Sequence, residues 1–255
     1  VSKSIVNVQN ITKQYSNGTV ALSDVSLDIE KGRFISILGP SGCGKSTLLR
    51  CIAGLEDITS GRLVINGVES SGTPEGVGMV FQTDALLKWR TVKGNLRLPL
   101  EFAKKNIKNY ESKIEQLLEL TGLGQFGDRY PHQLSGGMRQ RAAICRALVD
   151  DPSILLMDEP FSALDAYTRD QMNEELQRIW LETKSTILFV THGIPEAVLL
   201  GDIVVVMSPR PGRIAEIIEI DIPRPRSLAV RATKKFGDYA GHIRDLFDQM
   251  SIGAE

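Results

Sequence analysis

The spacing of apolar residues changes period repeatedly along this chain, and each change marks an element. Residues 5–11, Ile5-Val6-Asn7-Val8-Gln9-Asn10-Ile11, alternate apolar and polar like a half-exposed strand. An Asn17-Gly18 turn follows, then a second predicted strand over 21–30 and a Lys31-Gly32 turn. Phe34-Ile35-Ser36-Ile37-Leu38 is a short apolar run that reads as a buried strand, and Leu48, Leu49 and Ala53 then take helical spacing up to Gly54. Residues 60–67 form a short strand closed by Asn66-Gly67, and 76–81 form another that ends in Gln82. From Asp84 to about Tyr130 the pattern is helical, with Ile114, Leu117, Leu118 and Leu120 near one face of a helix predicted over 109–122. A helix over 139–149, a buried strand over 153–157, a helix over 167–183 and a strand over 185–190 come next. Residues 202–207 and 214–220 flank Pro209-Arg210-Pro211-Gly212 as in a hairpin, and 227–250 reads as one or two helices. The pattern is that of an α/β core with a helical insertion.

Between the buried strand and its helix lies Gly39-Pro40-Ser41-Gly42-Cys43-Gly44-Lys45-Ser46-Thr47, the full phosphate-loop pattern in the strand–loop–helix context it requires. A triphosphate needs backbone N–H groups at close range. Gly39, Gly42 and Gly44 have no Cβ to obstruct them, and the following helix aims its N-terminus at the anion. Lys45 supplies charge for the β- and γ-phosphates, and Ser46 supplies a hydroxyl for Mg²⁺. Cys43 lies in this loop, where the helix N-terminus and Lys45 are expected to favour its thiolate.

Other stretches carry chemistry of their own. Ser135-Gly136-Gly137 before a helix is a second anion-binding arrangement of hydroxyl, bare backbone and helix N-terminus. Asp158-Glu159 closes a buried strand at the end where open α/β sheets bind ligands. Asp158 can serve Mg²⁺ and Glu159 can polarise a water. Tyr15 offers an aromatic face to a purine.

Composition narrows the setting. The chain has 255 residues, 42% of them hydrophobic, and a net charge of −1, which carries no footprint of a nucleic-acid binder. Its three cysteines have no metal spacing and form no disulfide framework, so a reducing compartment is expected. No apolar run approaches a membrane span, and Val1-Ser2-Lys3-Ser4 lacks the apolar core of a signal peptide. A cytosolic protein, or one held at a membrane by others, is expected.

Taken in order, the phosphate loop, Gln82, Leu134-Ser135-Gly136-Gly137, Ile154-Leu155-Leu156-Met157-Asp158-Glu159-Pro160, Ser162-Ala163-Leu164-Asp165 and His192 resemble the ATP-binding subunit of an ABC transporter from residue 5 to about 220. The resemblance implies a phosphate-loop NTPase core of mixed sheet and flanking helices, with an N-terminal antiparallel β subdomain. It also implies a single domain over 1–255, with a helical insertion at about 84–150 and a helical tail over 221–255. Two copies would pair head to tail, with ATP between residues 39–47 of one and Ser135-Gly136-Gly137 of the other. Glu159 would be the catalytic base, His192 would contact the γ-phosphate, and Gln82 would sense Mg²⁺ and water. Asp165 would lie at the dimer seam, and Tyr15 would stack on adenine. An integral permease and, indirectly, a separate solute-binding protein would be partners at the cytoplasmic face of the membrane. No nucleic acid is expected.

Three stretches resemble the nitrate, sulfonate, taurine and bicarbonate importers: residues 84–92 around Trp89, Gly137-Met138-Arg139-Gln140-Arg141, and 207–214 together with Ile222-Pro223-Arg224-Pro225-Arg226. Lys88 stands where that group has proline, and Gly193 where the family has aspartate, so a cap for the helix after His192 must come from elsewhere. An exporter cassette and a soluble ABC ATPase are the alternatives. A large C-terminal regulatory domain, of the kind some sugar importers carry, is not expected. Leu86, Leu87 and Trp89 pack into the helical insertion or line a groove for a permease helix, with Lys88 and Arg90 at its rim.

Overall fold

The computed structural model describes residues 4–252; Val1-Ser2-Lys3, and with them most of the segment read against a signal peptide, lie outside it. In chain order the elements are β1 (Ser4–Gln14), β2 (Val20–Glu30), β3 (Phe34–Leu38), α1 (Lys45–Ile52), β4 (Ser60–Ile65), β5 (Val68–Glu69) and β6 (Val77–Val80). Then come α2 (Val92–Phe102), α3 (Glu111–Leu120), α4 (Gly136–Leu148), β7 (Ile154–Asp158), α5 (Ala166–Thr183), β8 (Thr186–Val190), α6 (Ile194–Leu200), β9 (Ile203–Met207), β10 (Ile214–Glu219) and α7 (Lys234–Ile252). The chain forms two compact units, one of residues 1–75 with 184–255 and one of residues 76–183.

The first unit holds two sheets. β1 pairs antiparallel with β2 and with β4, and β4 turns into β5 through Asn66 and Gly67, both at positive φ (52° and 79°). This is the backbone that a two-residue hairpin demands. The second sheet is mixed: β8, β3 and β9 run parallel, and β10 pairs antiparallel with β9. All five residues of β3 and of β8 are buried, as continuous apolar runs predict for inner parallel strands. The C-terminal ends of β3, β8 and β9 share one edge, so residues 39–44, His192 and Arg210 leave the sheet together. α7 covers α6 and β10 with Phe236 and Ile243, joining a core that includes Val198, Leu199, Val204 and Ile218.

The second unit sets parallel β6 and β7 beside α2–α5. Gln82 follows β6 and Glu159 follows β7, again at one shared edge. α3 follows a 3₁₀ turn over Ile107–Tyr110 and is shorter than the 109–122 pattern. α4 begins three residues before the predicted 139, because Ser135 caps it and both following glycines enter its first turn.

Candidate nucleotide site

In the first unit the phosphate loop is shaped by its glycines. Gly42 and Gly44 have φ of 74° and 111°, and a Cβ on Gly44 would meet the Ala21 carbonyl at 2.7 Å. Any side chain there collides as well as straining the backbone. No side chain caps α1, whose N-cap is Gly44, so its N-terminus is open to an anion. Lys45 is buried and donates from Nζ to the carbonyls of Gly39 (2.8 Å) and Pro40 (3.0 Å), which curls it back over the loop. Ser41 and Gly42 are exposed, and Ser46 and Thr47 are half-buried in the first turn of α1.

Cys43 departs from expectation. Its side chain turns inward: it is 1% exposed, and a Cβ on Gly39 would meet its Sγ at 2.7 Å. Burial pushes the thiol above its ordinary range despite the opposing charge of Lys45. The thiolate is therefore not favoured, and Cys43 can serve a phosphate only through its backbone. Arg210, whose chemical role the sequence did not reveal, donates from Nε to the Gly42 carbonyl at 3.3 Å.

His192 is exposed just past β8, between buried Thr191 and half-buried Gly193. The Thr191 N–H donates to Ile37 of β3 at 3.2 Å. Gly193 is the N-cap of α6 and has no side-chain cap; its N–H donates to Thr191 Oγ1 at 3.0 Å, and that hydroxyl hydrogen-bonds Glu196 Oε2. Thr191 Oγ1, not a residue at the N-cap, takes the Gly193 N–H, and Glu196, three residues into the helix, accepts from that hydroxyl and so holds it in place beside His192.

In the second unit Asp158 is 6% exposed at the end of β7, and Glu159 is half-buried with φ of 46°. A left-handed glutamate is uncommon and marks a constrained position. Gln82 Nε2 lies 3.5 Å from Glu159 Oε2 and 3.3 Å from Ser162 Oγ. Asp165 accepts the Thr168 N–H at 3.0 Å ahead of α5, and that hydrogen bond holds its carboxyl below the usual range. Ser135 Oγ accepts the Met138 N–H at 3.3 Å. Gly136 faces open space, with nothing nearer than 3.9 Å to a Cβ, whereas Gly137 is packed at 3.0 Å from Thr168.

The segment after Gln82 is tied to the α4 helix by two arginines, Arg139 and Arg146. Arg139 Nε donates to Asp84 Oδ2 at 2.9 Å, and Arg146 donates to the carbonyls of Ala85 (2.7 Å) and Asp84 (3.0 Å). Asn95, fully buried, accepts the Leu87 N–H at 2.7 Å and donates to the carbonyls of Leu87, Arg90 and Thr91. Leu86 is buried but Trp89 is 74% exposed, so Trp89 is not core. Arg90 is ion-paired: its Nη1 donates to both carboxylate oxygens of Glu101 at 2.7–2.8 Å.

A mixed sheet with a phosphate loop at its C-terminal edge, an acidic pair closing a second buried strand and a serine-capped glycine helix define a phosphate-loop ATPase. The family profile described as ABC transporter matches residues 22–162, and the chain belongs to that family. It is 46% identical over 246 residues to an uncharacterized ABC transporter ATP-binding protein of Methanocaldococcus jannaschii, covering 94% of this chain and 90% of the relative. It is 43% identical over 225 residues to the aliphatic sulfonates import ATP-binding protein SsuB of Bacillus cereus (87% and 88% covered). It is 44% identical over 238 residues to the taurine import ATP-binding protein TauB of Rhizobium johnstonii (91% and 90%). Among solved structures it resembles a dimeric ATP-binding cassette bound to ADP and Pi after hydrolysis, with TM-score 0.74, 32% identity, and 86% and 100% of the two chains covered. It also resembles CbiO1 of Clostridium perfringens, part of an ABC transporter complex, with TM-score 0.79, 27% identity, and 97% and 99% covered. The chain is an ATP-binding, ATP-hydrolysing cassette.

Proposed function

We propose that this chain is the ATPase subunit of a membrane importer for a small sulfonate-type anion, working as a head-to-tail pair at the cytoplasmic face of an integral permease that is supplied by a separate solute-binding protein. The kinship with sulfonate and taurine import subunits supports the solute class. Among the described residues no helix is long and apolar enough to cross a membrane, which fits a subunit held by a permease.

The observation that carries the hydrolytic reading is Glu159: a half-buried carboxylate, turned by a left-handed backbone at the end of a buried strand, within 3.5 Å of the Gln82 amide. It acts as general base, drawing a proton from the water that attacks the γ-phosphate. Gln82 orients that water, His192 hydrogen-bonds the γ-phosphate, and Lys45 with the loop N–H groups holds the phosphates. Ser135, Gly136 and Gly137 close on the nucleotide of the second copy, and Asp165 lines the seam between copies.

Among the described residues no cluster of three or more His, Cys, Asp or Glu could hold a metal, so a cage made by the protein alone is excluded there. Mg²⁺ fits differently, because Ser46, Asp158 and the Gln82 side-chain carbonyl are hard oxygen donors of the kind it uses beside nucleotide phosphates. When bound it would neutralise charge on the β- and γ-oxygens.

The test is Glu159→Gln. ATP affinity stays near wild type, turnover falls by about two to four orders of magnitude, and an ATP-bound dimer accumulates in gel filtration. Turnover above about a tenth of wild type refutes Glu159 as the base. Co-purification from detergent-solubilised membranes tests the importer reading: a polytopic permease that responds to a sulfonate-loaded binding protein supports it, and a lipid-loaded assembly or ribosomes refutes it.

A further inference from the structure

Tyr15 does not stand alone. The Lys13 ammonium lies over its ring, 5.0 Å from the centroid. Its hydroxyl is 3.3 Å from Thr47 Oγ1, in the first turn of α1. Lys13 is itself held in place: Nζ donates to the Asp57 carbonyl at 2.7 Å and pairs with the Glu56 carboxylate at 3.1 Å, and the residue is only 8% exposed. Glu56 and Asp57 lie in the loop that leaves the far end of α1. The same loop grips the strand beside Tyr15, because the Gln14 N–H donates to Thr59 Oγ1 and the Thr59 N–H donates to the Thr12 carbonyl, both at 2.8 Å. The ring is thus pinned from both ends of the helix that follows the phosphate loop.

An ammonium over an aromatic ring is attracted by the negative π-face, more strongly when water is kept away. Lys13 takes one face of the half-buried Tyr15 ring, so a base would stack on the other. It also draws electron density through the ring, so the open face repels the π-cloud of a purine less. A ring already fixed loses little rotamer freedom when a base stacks on it.

We propose that Lys13 is the positioning residue of the base platform: by holding Tyr15 it sets the part of nucleotide affinity that depends on the base, while residues 39–47 hold the phosphates. This rests on the reading of Tyr15 as the surface that takes adenine. Two ligands separate the contributions, MgADP and magnesium pyrophosphate, which carry the same number of phosphorus atoms with and without a base.

Titration calorimetry is expected to show Lys13→Met binding MgADP about 3- to 10-fold more weakly, the worth of a partly desolvated cation–π contact. Pyrophosphate affinity stays unchanged. Lys13→Arg, which keeps a cation, retains most of the MgADP affinity. Adding Lys13→Met to Tyr15→Ala brings no further loss. Equal weakening of both ligands by Lys13→Met overturns the proposal, since Lys13 would then serve the phosphate loop itself. So does a Lys13→Met protein that binds MgADP as wild type does while Tyr15→Ala binds it poorly. If Tyr15→Ala itself leaves MgADP binding intact, the platform reading beneath the proposal is what fails.

Discussion

Arg226 offers a sharp test of how the first unit is held together. It is 2% exposed and donates to five backbone carbonyls: Ile222 (3.0 Å), Val198 (2.8 Å), Leu199 (3.2 Å), Gly201 (2.7 Å) and Ile220 (3.0 Å). Burial pushes its guanidinium pKa down to about 10, so it is still charged at neutral pH. Val198, Leu199 and Gly201 lie at or just past the last turn of α6, where helix geometry supplies no N–H. The Asp202 N–H, which a longer helix would give to Val198, goes instead to the Phe34 carbonyl at 2.7 Å. Arg226→Met fills similar space but strands these three carbonyls. At about 1–1.5 kcal/mol for each lost hydrogen bond, the cost is about 3–5 kcal/mol. For a chain of this size that lowers the melting temperature by roughly 6–20 °C. Calorimetry and urea unfolding of the two proteins measure it. Because the charged form is disfavoured by folding, the Arg226 contribution to stability rises as pH climbs through about 10 towards the ordinary arginine range. The wild type therefore gains from this group at alkaline pH and the Met variant does not. A loss under about 1 kcal/mol at neutral pH would refute the capping argument.

Further outcomes follow from the same geometry. Cys43 should react with a maleimide only slowly at pH 7, with a rate that keeps rising above the ordinary thiol pKa because burial holds its proton on; rapid labelling of Cys43, located by peptide mapping, would contradict its inward orientation. Glu196→Gln removes the carboxylate that accepts from the Thr191 hydroxyl beside His192 and should lower ATP turnover roughly 10-fold, the scale of a misplaced reacting group, while ADP affinity is kept; a parallel loss of ADP affinity would mean the effect is not confined to His192. Trp89→Ala should change unfolding free energy by no more than about 0.5 kcal/mol, since the side chain is 74% exposed, yet disrupt assembly with the permease; a lost thermal transition would return it to the core.

Local spacing was enough for the chemistry that depends on consecutive residues. The phosphate loop needs glycines at set intervals between a strand and a helix, and β3, residues 39–44 and α1 stand where that pattern put them. The buried strands were legible for the same reason: a strand covered on both faces leaves no polar alternation, and β3, β7 and β8 are apolar from end to end apart from Ser36, Asp158 and Thr186. What spacing cannot encode is which side chain fills a gap left by a distant segment. Cys43 looked like an activated thiol from its neighbours in the chain, but its sulfur turns into the space beside Gly39 and out of water. Arg90 was placed at the rim of a groove, and only the fold shows Glu101, eleven residues on, paired with it at 2.7 Å. Asn95, Arg146 and Glu196 read as ordinary polar positions, and Arg139 and Arg226 stood out only as members of family-like stretches, with no structural role attached. Asn95 and Arg226 acquired their roles because a loop or helix terminus elsewhere had buried backbone groups to satisfy, and an unpaired buried N–H or carbonyl costs about as much as a lost hydrogen bond. The sequence alone determined the inventory of phosphate-loop and strand-end residues through short-range backbone geometry. The tertiary structure decided which residues hold that inventory in place, because only the packed chain shows which polar groups are left without water.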